Sequence, residues 1–201
     1  MTREIIAILR GIQSHEICDI ADVLIAAGIT KIEVPLNSPD PFATIALLVK
    51  HAGDRAVVGA GTVLETDAVT RLADIGAQMV VSPDTCAEVI RATKAAEMLS
   101  YPGVMTPSEC FAALRAGADG IKLFPAFKIG VDGFAAVKSV LPVAAKTYAV
   151  GGVGPDNFAD WQAAGITGFG IGTGIYKVGF SAADVAKRAD EIVIAYDKVF
   201  P

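Results

Sequence analysis

The sequence is poor in the residues that most often announce chemistry. Among its 201 residues are three cysteines, two histidines and one tryptophan, and aromatic residues make up only 7%. Cys18, Cys86 and Cys110 are odd in number and lack metal-ligand spacing, which excludes a disulfide framework and a zinc cluster as organising features. They read as ordinary small core or surface residues of a reduced, cytoplasmic protein. His15 and His51 have no triad partner; both are expected as solvated surface, inside or after helices at the end away from the chemistry. No metal and no cofactor is therefore expected. The 17 basic residues are spread singly against 22 acidic ones, for a formal charge of −5. With no basic stripe to neutralise a phosphate backbone, nucleic acid is excluded as a partner. Apolar runs such as Phe42 to Val49 stop well short of the ~18–20 residues that cross a bilayer, which excludes a membrane partner. Met1-Thr2-Arg3-Glu4 leads straight into an apolar segment too short for a signal peptide. Gly-x-Gly-x-x-Gly after a first strand and the P-loop are also missing.

What the sequence does have is apolar content and repetition. Hydrophobic residues reach 53%, and 20 glycines and 10 prolines are scattered along the chain. Short runs rich in Val, Ile and aromatics begin near Ile5, Lys31, Ala56, Gln78, Met98, Asp119, Lys146 and Thr167. Each spacing suffices for a strand, a helix and two turns. The intervening segments have helical period; in the last, Val185, Ala189, Ile192 and Tyr196 share a stripe that Lys187, Arg188 and Glu191 avoid. Thr106 with Glu109 and Ser181 with Asp184 have capping-box spacing. Ser38-Pro39, Thr106-Pro107 and Gly154-Pro155 each set a cap-compatible residue before a proline suited to a first helical position. Gly28, Gly53, Gly76, Gly117 and Gly165 stand where helices end, and Pro35, Pro83, Pro102 and Pro125 where strands end. This pattern predicts an α/β fold, a (β/α)8 TIM barrel filling one domain over residues 1–201, with an open doubly wound sheet as the alternative.

In such a barrel, chemistry sits at the C-terminal ends of the strands, and a charge inside a strand is costly unless paired or used. The sixth run reads Gly120-Ile121-Lys122-Leu123-Phe124-Pro125. Ile121 and Leu123 cover the helices, so Lys122 points inward, where desolvation leaves a neutral amine able to attack a carbonyl. The other reading is a lysine paired with a rim carboxylate. By the same alternation Glu33, in Lys31-Ile32-Glu33-Val34-Pro35, also points inward, as an ion-pair partner or a proton shuttle. Lys31 and Lys146 open their strands at the far face and are expected to be solvated. Arg10 leaves the first strand at the reactive rim, where a guanidinium could hold a carboxylate. Gly59-Ala60-Gly61-Thr62 ends the third strand with close-approach glycines and a hydroxyl, or simply a tight turn. Val150-Gly151-Gly152-Val153 and Gly170-Ile171-Gly172-Thr173-Gly174 end the last two strands, and glycine-rich turns there can present N–H groups to a phosphate. Amine, carboxylate, arginine and phosphate cradle together suit metal-free carbonyl chemistry on a phosphorylated keto acid.

These same residues resemble the family of 2-keto-3-deoxy-6-phosphogluconate and 4-hydroxy-2-oxoglutarate aldolases. The likeness runs through Ile8-Leu9-Arg10-Gly11, Val58-Gly59-Ala60-Gly61-Thr62-Val63, Val81-Ser82-Pro83, Pro102-Gly103-Val104-Met105-Thr106-Pro107-Ser108-Glu109, Lys122-Leu123-Phe124-Pro125 and Gly151-Gly152-Val153. The resemblance implies a class I aldolase on a (β/α)8 barrel, with Lys122 as Schiff-base lysine and Glu33 as general acid/base. It further implies that Arg10 and Thr62 hold the pyruvate portion, Pro83 and Phe124 shape the pocket, and Gly151, Gly152, Gly172 and Thr173 meet the phosphate. A homotrimer is implied too. Glu33-Val34-Pro35-Leu36-Asn37-Ser38-Pro39, and Val150 where gluconate enzymes usually carry threonine, look like the branch acting on the galactonate epimer. Ala126-Phe127-Lys128-Ile129-Gly130 departs from that branch, and the Pro-Gly-Val-Met-Thr-Pro string is nearer gluconate members. The substrate expected is thus 2-dehydro-3-deoxy-6-phosphogalactonate, cleaved to pyruvate and glyceraldehyde 3-phosphate. The gluconate epimer and 4-hydroxy-2-oxoglutarate are alternatives, and an isomerase or epimerase, or a non-catalytic phosphosugar-binding barrel, is a more distant one.

Overall fold

Each apolar run forms a strand and each periodic segment a helix. In the computed structural model, which describes residues 3–201, β1 (Ile5–Ile8) leads to α1 (Ile17–Ala26), and β2 (Lys31–Pro35) to α2 (Pro41–Ala52). Next come β3 (Val57–Gly61), α3 (Thr66–Asp74), β4 (Met79–Val81) and α4 (Ala87–Ala95). β5 (Leu99–Tyr101) and β6 (Gly103–Val104) precede α5 (Pro107–Ala116). β7 (Ile121–Leu123), α6 (Ala126–Lys138), β8 (Thr147–Val150), α7 (Phe158–Ala163), β9 (Gly168–Ile171) and α8 (Ala182–Val199) follow. Met1 and Thr2, which open the N-terminal stretch considered above, lie outside the described residues. No described helix is long and apolar enough to cross a membrane.

The strands pair in the order β5-β4-β3-β2-β1-β9-β8-β7-β6, all parallel. The two ends of that order adjoin along the chain at Pro102, so the sheet closes into a (β/α)8 barrel. Pro102 does not end a strand, as the sequence suggested, but divides one. β5 pairs with β4, and β6 pairs with β7. Proline has no N–H to donate, yet its carbonyl accepts from the Lys122 N–H at 2.8 Å. The fifth strand therefore changes partner at the proline and continues.

Strand alternation sorts side chains into two layers. Ile6, Met79, Val81, Tyr101 and Tyr148 form a small cluster inside the barrel, with the two tyrosine rings edge to face at 5.2 Å. Ile32, Val34, Ile121, Leu123, Phe169 and Ile171 face outward into the main core under the helices. Ile6, Val81, Tyr101 and Tyr148 border a small cavity with Glu33 and Lys122. Below them Glu4 accepts from Lys31 Nζ and from the Tyr148 hydroxyl (2.7 Å), with Lys146 Nζ at 3.7 Å. Lys31 is thus not the solvated residue expected: its side chain is 11% exposed and ion-paired. The pairing of Ile6 with Lys31 across β1 and β2 brings it beside Glu4.

Both capping boxes form, Thr106 with Glu109 at α5 and Ser181 with Asp184 at α8. Two of the three proline starts do not. α2 begins at Pro41 after Asp40, and Ser38 Oγ instead accepts from the Gly11 N–H at 2.9 Å. α7 begins after Asn157, three residues beyond Gly154. His15 lies in the turn between β1 and α1, hence at the reactive end rather than the far one, and is exposed. His51, near the end of α2, is paired with Asp22 at 2.9 Å rather than merely solvated. Cys110 is buried and Cys18 and Cys86 are half-buried; all three thiols are free.

Candidate active site

A cavity of about 470 Å³ opens at the C-terminal ends of the strands, and every residue predicted for the site lines it. Lys122 sits mid-strand in β7, level with Gly103 of β6 and Tyr148 of β8, and is 7% exposed. Glu33 sits mid-strand in β2, level with Ile8 of β1 and Gly59 of β3, and is 2% exposed. Room for its carboxylate comes from Gly61. A Cβ at Gly61 would lie 1.8 Å from Glu33 Oε2, so no other residue fits without displacing the acid. The alternation rule therefore placed both charges correctly.

Burial sets their protonation. Desolvation pushes the Glu33 carboxyl above its ordinary range, and the charges of Lys122 and Arg10 only partly offset this. Desolvation likewise holds the Lys122 ammonium below the ordinary lysine value; Glu33 opposes that shift, Arg10 adds to it, and Asp84 opposes it. Lys122 Nζ also lies 4.9 Å from the centroid of the Phe124 ring. Glu33 Oε2 is buried without a hydrogen-bond partner, a condition that typically costs about 1–3 kcal/mol. An amine of reduced basicity beside a carboxyl of raised pKa is suited to carbonyl attack with proton transfer.

The rim carries the remaining predicted residues. Arg10 Nη1 donates to Asn37 Oδ1 and, at 3.5 Å, to Thr62 Oγ1. Thr62 has φ of 57°, a strained conformation for a β-branched residue. Pro83 and Phe124 form walls, and Val150 presents an apolar surface at the end of β8. Gly151 and Gly152 follow with φ of 93° and 74°, a turn that L-residues with side chains adopt poorly. Asn157 braces that turn, donating to Gly152 O at 2.9 Å and accepting from Gly154 N–H at 3.1 Å. Across the mouth, Gly172 O accepts from Ile175 N–H (2.9 Å) and Tyr176 N–H (3.0 Å), shaping the turn that holds Thr173 and Gly174.

Sequence reasoning missed several residues. Ile8 and Gly170 line the cavity floor, and the inward parity of their strands was signal enough to find them. Lys177 and Val178 extend the wall beyond Gly174; a basic residue after a glycine turn could have been noticed. Asn37 stood in a quoted string, but its contact with Arg10 spans 27 positions and leaves no local trace. Among the described residues, no three of His, Cys, Asp and Glu gather in a way that could hold a metal ion.

Comparison with known proteins accords with this geometry. The family model for KDPG and KHG aldolases matches residues 1–190. A probable 2-dehydro-3-deoxy-6-phosphogalactonate aldolase of Rhizobium meliloti (strain 1021) is 48% identical over 100% of this chain and 94% of its own. A 2-dehydro-3-deoxy-6-phosphogalactonate aldolase of Escherichia coli (strain K12) is 42% identical over 96% of this chain and 94% of its own. A solved structure described as native KDPGal superposes with a TM-score of 0.98 at 40% identity, covering 100% of this chain and 97% of that one.

Proposed function

The chain belongs to the KDPG and KHG aldolase family, and from that premise we propose that it is a class I aldolase acting on 2-dehydro-3-deoxy-6-phosphogalactonate. The observation that carries the chemistry is the pair of buried, inward groups, Lys122 and Glu33, in one cavity with a guanidinium and two glycine turns. The galactonate epimer is favoured by the relatives acting on it, and by apolar Val150 at the end of β8.

The neutral amine of Lys122 attacks C2 of the substrate, forming a C–N bond and a carbinolamine. Glu33 delivers a proton to the departing hydroxyl, so water leaves and an iminium ion remains. Glu33, now a carboxylate, takes the proton of the C4 hydroxyl. The C3–C4 bond breaks, its electron pair passes into the iminium, and glyceraldehyde 3-phosphate departs. Glu33 passes that proton to C3 of the resulting enamine, and water hydrolyses the iminium, releasing pyruvate, restoring the amine and reprotonating Glu33. Arg10 and Thr62 hold the C1 carboxylate throughout, with Pro83 and Phe124 enclosing the pyruvate portion. Gly151, Gly152, Gly172 and Thr173 hold the phosphate through backbone N–H groups and one hydroxyl.

The working assembly is a homotrimer. Leu64, Met105 and Phe127, between 48% and 63% exposed, stand on loops and a helix start of the C-terminal face, where neighbouring copies would cover them.

Side-by-side cleavage of the 6-phosphogalactonate and 6-phosphogluconate keto-deoxy acids, with pyruvate release measured, tests the substrate. Higher kcat/KM on the galactonate epimer is expected. Higher kcat/KM on the gluconate epimer overturns the epimer assignment, and no pyruvate from either overturns the activity.

A further inference from the structure

We propose that Asn37 is a positioning residue for Arg10, fixing the guanidinium at the cavity mouth with its charge free for the carboxylate of a 2-oxo acid. This rests on the aldolase reading above. Arginine is long and rotamer-rich, and Arg10 is exposed where it leaves β1, so its usefulness depends on what holds it. Its Nη1 is held by Asn37 Oδ1 and, more weakly, by Thr62 Oγ1. Among the described residues it forms no ion pair.

The identity of the anchor matters. An amide oxygen accepts from a guanidinium without neutralising it, whereas a carboxylate there would compete with an anionic ligand. One edge of the fork is committed to Asn37 and Thr62, which leaves further N–H groups for a second, bidentate partner. The same loop fixes the backbone beside Arg10, through the Gly11 N–H donated to Ser38 Oγ at 2.9 Å. That loop follows β2 directly, so the strand bearing Glu33 also sets where the guanidinium stands.

The test is borohydride trapping of the pyruvate imine across a range of pyruvate concentrations. Wild type is compared with Asn37→Ala, Asn37→Asp, Arg10→Met and the Arg10→Met/Asn37→Ala double variant. Asn37→Ala is expected to raise the half-saturating pyruvate concentration roughly tenfold, with the limiting trapping rate unchanged within about twofold. In the Arg10→Met background the alanine should add nothing. Asn37→Asp, which keeps an acceptor but adds charge, should not restore wild-type saturation. Wild-type saturation in Asn37→Ala, the same loss in both backgrounds, or full rescue by aspartate overturns the proposal. Failure of wild type itself to trap pyruvate would instead overturn the aldolase reading.

Discussion

Glu33 and Lys122 are where the proposed chemistry costs the fold stability. Each is a charge-bearing group in a barrel interior, and each has its protonation shifted toward the neutral form by burial. Replacing such a pair with neutral groups of similar size commonly stabilises a fold. The double variant Glu33→Gln/Lys122→Met should therefore be inactive yet more stable by about 1–2 kcal/mol, or about 2–8 °C in melting temperature. Because the folded-state pKa of Glu33 is raised, its cost appears as pH rises through and above the unfolded value of 4.5. Because that of Lys122 is lowered, its cost disappears as pH approaches the unfolded value of 10.5. The gain should thus be largest near neutrality and smaller at both extremes. Thermal melts over pH check this, and a melting temperature at or below wild type at pH 7 would contradict it.

At the scale of the element, the strand pattern was legible because a closed parallel barrel imposes a strict alternation. Ile121 and Leu123 around Lys122, and Ile32 and Val34 around Glu33, lie in the outer core and leave the charged residues on the inward face. The same alternation exposes the role of small inward residues. β3 turns Gly59 and Gly61 inward, and the second makes the pocket for the acid. Gly61→Ala should lower turnover by roughly 10² or more by displacing Glu33 from its proposed proton-transfer position, while pyruvate still forms an imine on Lys122, more slowly, with solvent supplying the proton. Steady-state cleavage set against borohydride trapping separates the two, and unimpaired turnover would remove Glu33 from its place. What was not legible depended on partners distant in sequence. Pro102 looked like a terminator because its neighbours on either side of the sheet were unknown. Ser38 looked like a cap because its real partner, the Gly11 N–H, lies on another unit. Lys31 looked solvated because Glu4 reaches it only through strand pairing.

Across the whole molecule, the ring of eight βα units brings side chains far apart in sequence to one rim, which is why the scattered candidates converged on a single cavity. The proposed homotrimer, which the family resemblance implies, should show a trimeric mass in solution, checked by light scattering at micromolar concentration; a monomer would contradict it. The proposed chemistry turns on the amine of Lys122. Wild-type protein treated with pyruvate and borohydride near neutral pH should carry a reduced pyruvate adduct, mapped by mass spectrometry to the peptide containing Lys122. Lys122→Met should carry none. An adduct on another lysine, or no adduct while the substrate is still cleaved, would contradict the mechanism.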